Sequence, residues 1–259
     1  SKGTKNVDFS QNHEIEFKHV YFKYPRSEKF ILKDINLKIT SGQHLAVVGL
    51  NGAGKTTFIK LLCRLYDVTD GEILIDGINI KEYKDDEYRK LFAIVFQDFK
   101  LFRFTVRENV TFSSDTKNDV KLFEVLKQCG LANDVENLPK KADTWMWKIF
   151  DKKGVEFSGG ELQKFALARA LYKDADFVVL DEPTSALDPV SESKIYYHFK
   201  DVVGEKLTLF ISHRLSSCIF SDKILVLDGY NIVETGTHEE LMKNKEGLYR
   251  KMFMSQAEY

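Results

Sequence analysis

Gly49-Leu50-Asn51-Gly52-Ala53-Gly54-Lys55-Thr56 separates the apolar run Leu45-Ala46-Val47-Val48 from Phe58-Ile59-Lys60-Leu61-Leu62, where apolar residues recur at helical spacing. A glycine-rich loop between a buried strand and a helix is the sequence form of a phosphate cradle. Its glycines allow the backbone to curl around phosphate oxygens without Cβ clashes, so that successive N–H groups and the helix N-terminus face the anion. Lys55 then reaches the β- and γ-phosphates, and Thr56 offers its hydroxyl to Mg²⁺. The stretch therefore predicts a strand–loop–helix unit of an α/β protein that binds a nucleoside triphosphate.

Composition excludes several partners. The chain has 259 residues, 43% of them hydrophobic, enough for a sizeable core without staples. With 38 basic and 39 acidic side chains it offers nucleic acid or an anionic membrane no general attraction, so no nucleic-acid partner is expected. Cys63, Cys129 and Cys218 lie far apart in apolar-rich segments, and they read as buried free thiols of a reducing compartment. No apolar run approaches the roughly twenty residues that span a bilayer, and no signal peptide is evident.

Period-two alternation over 14–22 marks a half-exposed strand. Further strands are expected at 31–39, 45–48, 72–75, 92–96, 177–180, 207–212 and 223–228, with 231–234 as a hairpin partner after Asp228-Gly229. Helices are expected at 55–65, 117–128, 159–172, 189–201 and 237–256. Apolar strands interleaved with helices indicate a mixed, largely parallel sheet. Residues 101–173 look helical instead and read as an inserted helical subdomain, while residues 1–13 are polar and read as a linker.

Two further segments carry chemistry. Phe177-Val178-Val179-Leu180-Asp181-Glu182 sets two carboxylates where a buried strand ends, the edge at which open α/β sheets bind ligands. Asp181 suits Mg²⁺ through water, and Glu182 suits a general base that polarises or orients the attacking water. In Phe157-Ser158-Gly159-Gly160-Glu161-Leu162-Gln163-Lys164, Ser158 and Glu161 form a capping-box pattern. The two glycines after the cap disfavour helix by about 1 kcal/mol each relative to alanine. Bare N–H groups there suit a second anion site, and a phosphate presented by another copy of the chain would fill it.

The order of motifs is similar to that of the ATP-binding cassette of ABC transporters, over nearly the whole chain. The phosphate loop, Gln97 after an apolar strand, Ser158-Gly159-Gly160, Asp181-Glu182, Ser185-Ala186-Leu187-Asp188 and His213 occur in that family's order and at similar spacing. The resemblance implies a P-loop NTPase of the ABC ATPase type: a mixed central sheet, an antiparallel β subdomain and the inserted helical subdomain, together spanning 14–259. It implies ATP and Mg²⁺ as cofactors. Tyr24 would stack on adenine, and Gly49, Asn51, Gly52, Ala53, Gly54, Lys55, Thr56 and Thr57 would hold the phosphates. Gln97 would bridge Mg²⁺ and the attacking water, and His213 would contact the γ-phosphate and hold Glu182 in line. Ser158, Gly159, Gly160 and Asp188 would serve the site across a head-to-tail dimer interface.

The sequence also departs from the family pattern. The signature is usually Leu-Ser-Gly-Gly-Gln, and here Phe157 and Glu161 replace its first and last residues. A Gly-Glu-Arg-Gly-like loop of many exporters is here Phe150-Asp151-Lys152-Lys153-Gly154, so contact with membrane domains is expected to be altered or moved. Trp145 and Trp147 precede it, either as interface anchors or as core.

Ser212-His213-Arg214-Leu215-Ser216 and the tail Gly236-Thr237-His238-Glu239-Glu240-Leu241 resemble exporters rather than importers. The expected partners are a second or sibling cassette and the transmembrane domains of one transporter, on the cytoplasmic side of the cell membrane. A first residue other than Met fits a cut after a membrane domain on the same chain. The competing expectation is a soluble cassette ATPase acting on nucleic acid or ribosomes.

Overall fold

The computed structural model describes residues 3–115, 118–182, 203–204, 206–212 and 214–257. These fall into two compact units: Ser1–Phe92, Asp176–Asp181 and Gly204–Tyr259 form the first, and Ala93–Ala175 with Glu182–Val203 the second.

The first unit contains two sheets. Strands β1 (Glu14–Lys23), β2 (Phe30–Thr40), β4 (Asp70–Ile75) and β5 (Ile78–Asn79) form an antiparallel sheet in the order β2-β1-β4-β5. Its strands alternate: Ile15, Phe17, Val20 and Phe22 of β1 point inward while Glu16 and Lys18 remain accessible. The other sheet runs β10 (Asn231–Gly236), β9 (Lys223–Asp228), β3 (His44–Gly49), β8 (Leu207–Ile211), β7 (Phe177–Asp181). β9, β3, β8 and β7 are parallel, and β10 pairs antiparallel at the edge. Leu45, Ala46, Val47 and Val48 are all 0% exposed, so β3 is covered on both faces, and that requires its continuous apolar run.

Helix α1 (Lys55–Leu62) buries Phe58, Ile59, Leu61 and Leu62. The Phe58 ring stacks on Phe17 of β1 with centroids 4.8 Å apart. Burying one such side chain contributes about 1.5–3 kcal/mol, so this contact anchors the helix that follows the loop. Helix α2 (Asp85–Lys90) carries acids in its first turn and bases in its last, matching the helix dipole, and Tyr88 within it donates to Leu62 O at 2.7 Å.

The second unit begins within β6 (Phe92–Val95). It holds α3 (Val106–Thr111), α4 (Asp119–Gln128), α5 (Ala132–Glu136) and α6 (Gly159–Lys173) around Val110, Leu122, Leu126, Leu131, Phe165 and Ala168. Buried Arg107 ties α3 to Asp143 at 2.7 Å and to Asp119. Of the two tryptophans, Trp147 packs on the helical core and Trp145 lies 5.6 Å from the Phe150 ring. Both are half-buried, while Ile149 and Phe150 are 56% and 67% exposed.

One expectation is corrected. The helix expected over 237–256 is two, α7 (His238–Lys243) and α8 (Leu248–Ala257), because Asn244 turns extended and Gly247 N–H donates to Asn244 O. The two-residue strand β5 and the short helix α2 were not foreseen, whereas α3 and α5 fall within the stretch 101–173 expected to be helical. The helix expected at 189–201 lies outside the described residues.

Candidate functional site

The loop after β3 is shaped by its neighbours. Gly49 has φ 149°, and a Cβ there would meet Leu227 O of β9 at 2.2 Å, so no larger residue fits. Gly54, at φ 95°, would place a Cβ 2.9 Å from Leu32 Cδ2 and 3.1 Å from Ile31 O. Glycine therefore lets the loop close onto β2 just before α1 begins. Lys55 is buried, and its ammonium donates to Gly49 O at 2.9 Å and Leu50 O at 3.1 Å, arching over the loop.

The start of α1 lacks both a side-chain cap and a first-turn acid, whereas α2, α4 and α5, also without a side-chain cap, each carry an acid in the first turn. α3, α6 and α7 each carry a complete capping box, whereas α1 begins on Gly54. Its terminal N–H groups and dipole are thus left for an anion, and Thr56 is exposed on that turn. These features fit a phosphate chain with a hard cation beside it.

Register places the carboxylate at the same edge. Val47 pairs with Ile211 across β3 and β8, and Ile211 pairs with Asp181 across β8 and β7. Asp181 is therefore level with the last residues of β3, two strand spacings away or roughly 9.6 Å. It is buried, 3% exposed, at the carboxyl end of its strand.

Tyr24 follows β1 and precedes Pro25, which favours an extended conformation there. Its hydroxyl lies 3.0 Å from Thr57 Oγ1 on α1. Perpendicular rings flank it, Phe22 at 5.0 Å and Tyr66 at 5.2 Å, and Lys60 Nζ lies 5.8 Å from its centroid. Tyr66 and Lys60 escape sequence reasoning: Tyr66 is 42 positions from Tyr24, so no local spacing links the two rings.

In the second unit, Gln97 is exposed in the turn after β6, where Phe99 N–H donates to Phe96 O. Ser158 caps α6: its N–H and hydroxyl both donate to Glu161 Oε2 at 2.7 Å, and Glu161 N–H donates back to Ser158 Oγ at 3.3 Å. Gly159 is exposed, with open space where a Cβ would be. Glu182 sits at φ 52°, a left-handed conformation that non-glycine residues seldom adopt and that tends to be kept where function needs it. His213 and Ser185-Ala186-Leu187-Asp188 lie outside the described residues. Thus the first unit sets Tyr24 against Thr57 behind the loop and Asp181 at the carboxyl end of β7 in register with β3, while Gln97, Ser158-Gly159-Gly160 and Glu182 belong to the second.

Comparison with known proteins agrees with this geometry. The ABC transporter family matches residues 32–185. The chain is 42% identical to the subtilin transport ATP-binding protein SpaT of Bacillus subtilis, over 97% of this chain and 41% of that protein. It is 41% identical to a multidrug export ATP-binding/permease protein of Staphylococcus aureus, over 98% of this chain and 43% of the relative. A solved structure of a bacterial Atm1-family ABC exporter with ATP bound superimposes with a TM-score of 0.87 at 34% identity, covering 97% of this chain and 43% of that one. The chain therefore spans about two fifths of the length of the relatives it matches. No helix among the described residues is long and apolar enough to cross a membrane. The strand–loop–helix, the carboxylate level with it and the match over 32–185 make this chain a member of the ABC transporter family.

Proposed function

We propose that this chain is the ATP-hydrolysing domain of an exporter, acting as a head-to-tail pair on the cytoplasmic side of a membrane. The observation that carries the reading is the register that sets Asp181, at the carboxyl end of β7, level with Val47 of β3 two residues before the phosphate loop, which leads into a helix start with neither a side-chain cap nor a first-turn acid. Tyr24 takes the adenine, the loop N–H groups and Lys55 take the phosphates, and Thr56 with Asp181 faces the cation side. Bound Mg²⁺ would neutralise phosphate charge as the terminal bond breaks. Glu182, carried over from the family with Gln97 and His213, orients the attacking water or takes its proton. Ser158 and the glycines after it serve the γ-phosphate held by the opposite copy.

Closure on ATP and reopening after hydrolysis would drive the membrane helices of the transporter, none of which lies among the described residues. The exposed rings of Phe102, Phe104 and Phe112, 44%, 46% and 65% accessible, support an apolar partner on the second unit, with Arg169 over two of them. Export is favoured over work on nucleic acid by the relatives named for transport and export and by the net charge of −1.

The test is a pair of variants. Glu182→Gln should abolish turnover and trap ATP-bound dimers on size-exclusion chromatography, while Ser158→Ala should weaken dimer closure and spare monomer affinity for ATP. Parental turnover in the first, or equal loss of both properties in the second, rejects the assignment.

A further inference from the structure

We propose that Tyr24 serves the nucleotide through its hydroxyl as well as its ring, by orienting the Thr57 hydroxyl as a donor to the phosphate chain. This rests on the nucleotide reading above and assigns a positioning role within it. The two oxygens are 3.0 Å apart, across 33 positions of sequence, and Thr57 is 6% exposed. Thr57 lies in the first turn of α1, two residues beyond Lys55, and its hydroxyl meets the residue that takes the base.

Donor counting gives the bond its direction. A hydroxyl has one proton, and a phosphate oxygen only accepts. If Thr57 donated to Tyr24, its proton would be spent on the ring and its lone pairs would face the anion. With Tyr24 donating, the Thr57 proton points to phosphate, and the two bonds in series polarise one another. The order is therefore tyrosine to threonine to phosphate. Phe22 and Tyr66, perpendicular to the Tyr24 ring at 79° and 89°, limit its rotation, so the hydroxyl is held where Thr57 can accept from it. Base recognition and phosphate recognition are in this way joined through one side chain.

The experiment compares Mg-ATP with magnesium tripolyphosphate, which has no base to stack, by isothermal titration of the full chain. Tyr24→Phe keeps the ring, yet it should weaken both ligands by about fivefold, the worth of one net hydrogen bond. Thr57→Val should lose a similar factor, Thr57→Ser should restore it, and adding Tyr24→Phe to Thr57→Val should cost nothing more. Parental tripolyphosphate affinity in Tyr24→Phe, or additive losses in the double variant, overturns the proposal while nucleotide binding stands. A parental chain that binds neither ligand overturns the nucleotide reading itself.

Discussion

The Ser158 hydroxyl donates to the Glu161 carboxylate at 2.7 Å, so the residue proposed to meet a partner's phosphate is already engaged by an acid of its own helix. The usual family signature has glutamine at that position. Glutamate strengthens the start of α6, since a first-turn acid is stabilised by about 0.3–1 kcal/mol, but it places negative charge beside an approaching anion. Glu161→Gln should therefore lower thermal stability slightly and tighten the ATP-dependent dimer severalfold. Sedimentation in a hydrolysis-blocked background measures this, and a weaker dimer would contradict it.

Gly49→Ala should damage both fold and ligand binding. The added methyl would meet Leu227 O at 2.2 Å, and both atoms belong to paired strands that cannot yield separately. Overpacking of this kind costs about 1–3 kcal/mol. Thermal denaturation should show a lowered midpoint, whereas Gly52→Ala, with open space at its Cβ, should lose less stability.

The sequence discloses β3, the loop and α1 because that unit is set by local chemistry: an apolar run buried on both faces, glycines at positive φ, then helical spacing. The break between α7 and α8 is different in kind. Glu234 of β10 accepts from Tyr249 N–H at 2.8 Å and from Asn244 Nδ2 at 3.1 Å, so a strand residue supplies the cap for a helix 15 positions on. No window over 237–256 contains that information. The Tyr24–Tyr66 contact is hidden for the same reason. The acid-to-base order of α2, from Asp85 to Lys90, was a readable signal of a short helix, though too brief for hydrophobic periodicity to mark it.

Asp151 in the altered loop accepts from Lys140 Nζ at 2.8 Å and from Lys153 N–H at 2.9 Å. The Lys140 bond first, and the backbone bond second, hold its carboxyl below the ordinary 3.8. A carboxylate depressed on folding stabilises above its unfolded value, and that contribution is lost as pH falls through the lowered folded value. Carboxyl NMR should show Asp151 titrating below 3.8, and Lys140→Met should move it upward. An unchanged titration in that variant would mean the ion pair does not form in solution.

Burial pushes the Cys129 thiol up to about 12. At mildly alkaline pH it stays protonated, so its reaction with a maleimide should be at least roughly tenfold slower than that of an unfolded-chain cysteine. Cys63 and Cys218, 1% and 0% exposed, should react only after denaturation. Cys129 is half-buried rather than buried as the sequence suggests; mass spectrometry of timed labelling checks all three, and labelling of Cys129 in the folded chain as fast as in the unfolded one would contradict its raised thiol.

The central claim is that two copies cooperate on each ATP. Steady-state hydrolysis measured against protein concentration addresses it most directly. Phosphate release per chain should rise with concentration until the pair saturates, and it should vanish when Lys55→Ala replaces the parental chain. A rate per chain that is constant from high dilution upward, with Ser158→Ala as active as the parent, would contradict the shared site.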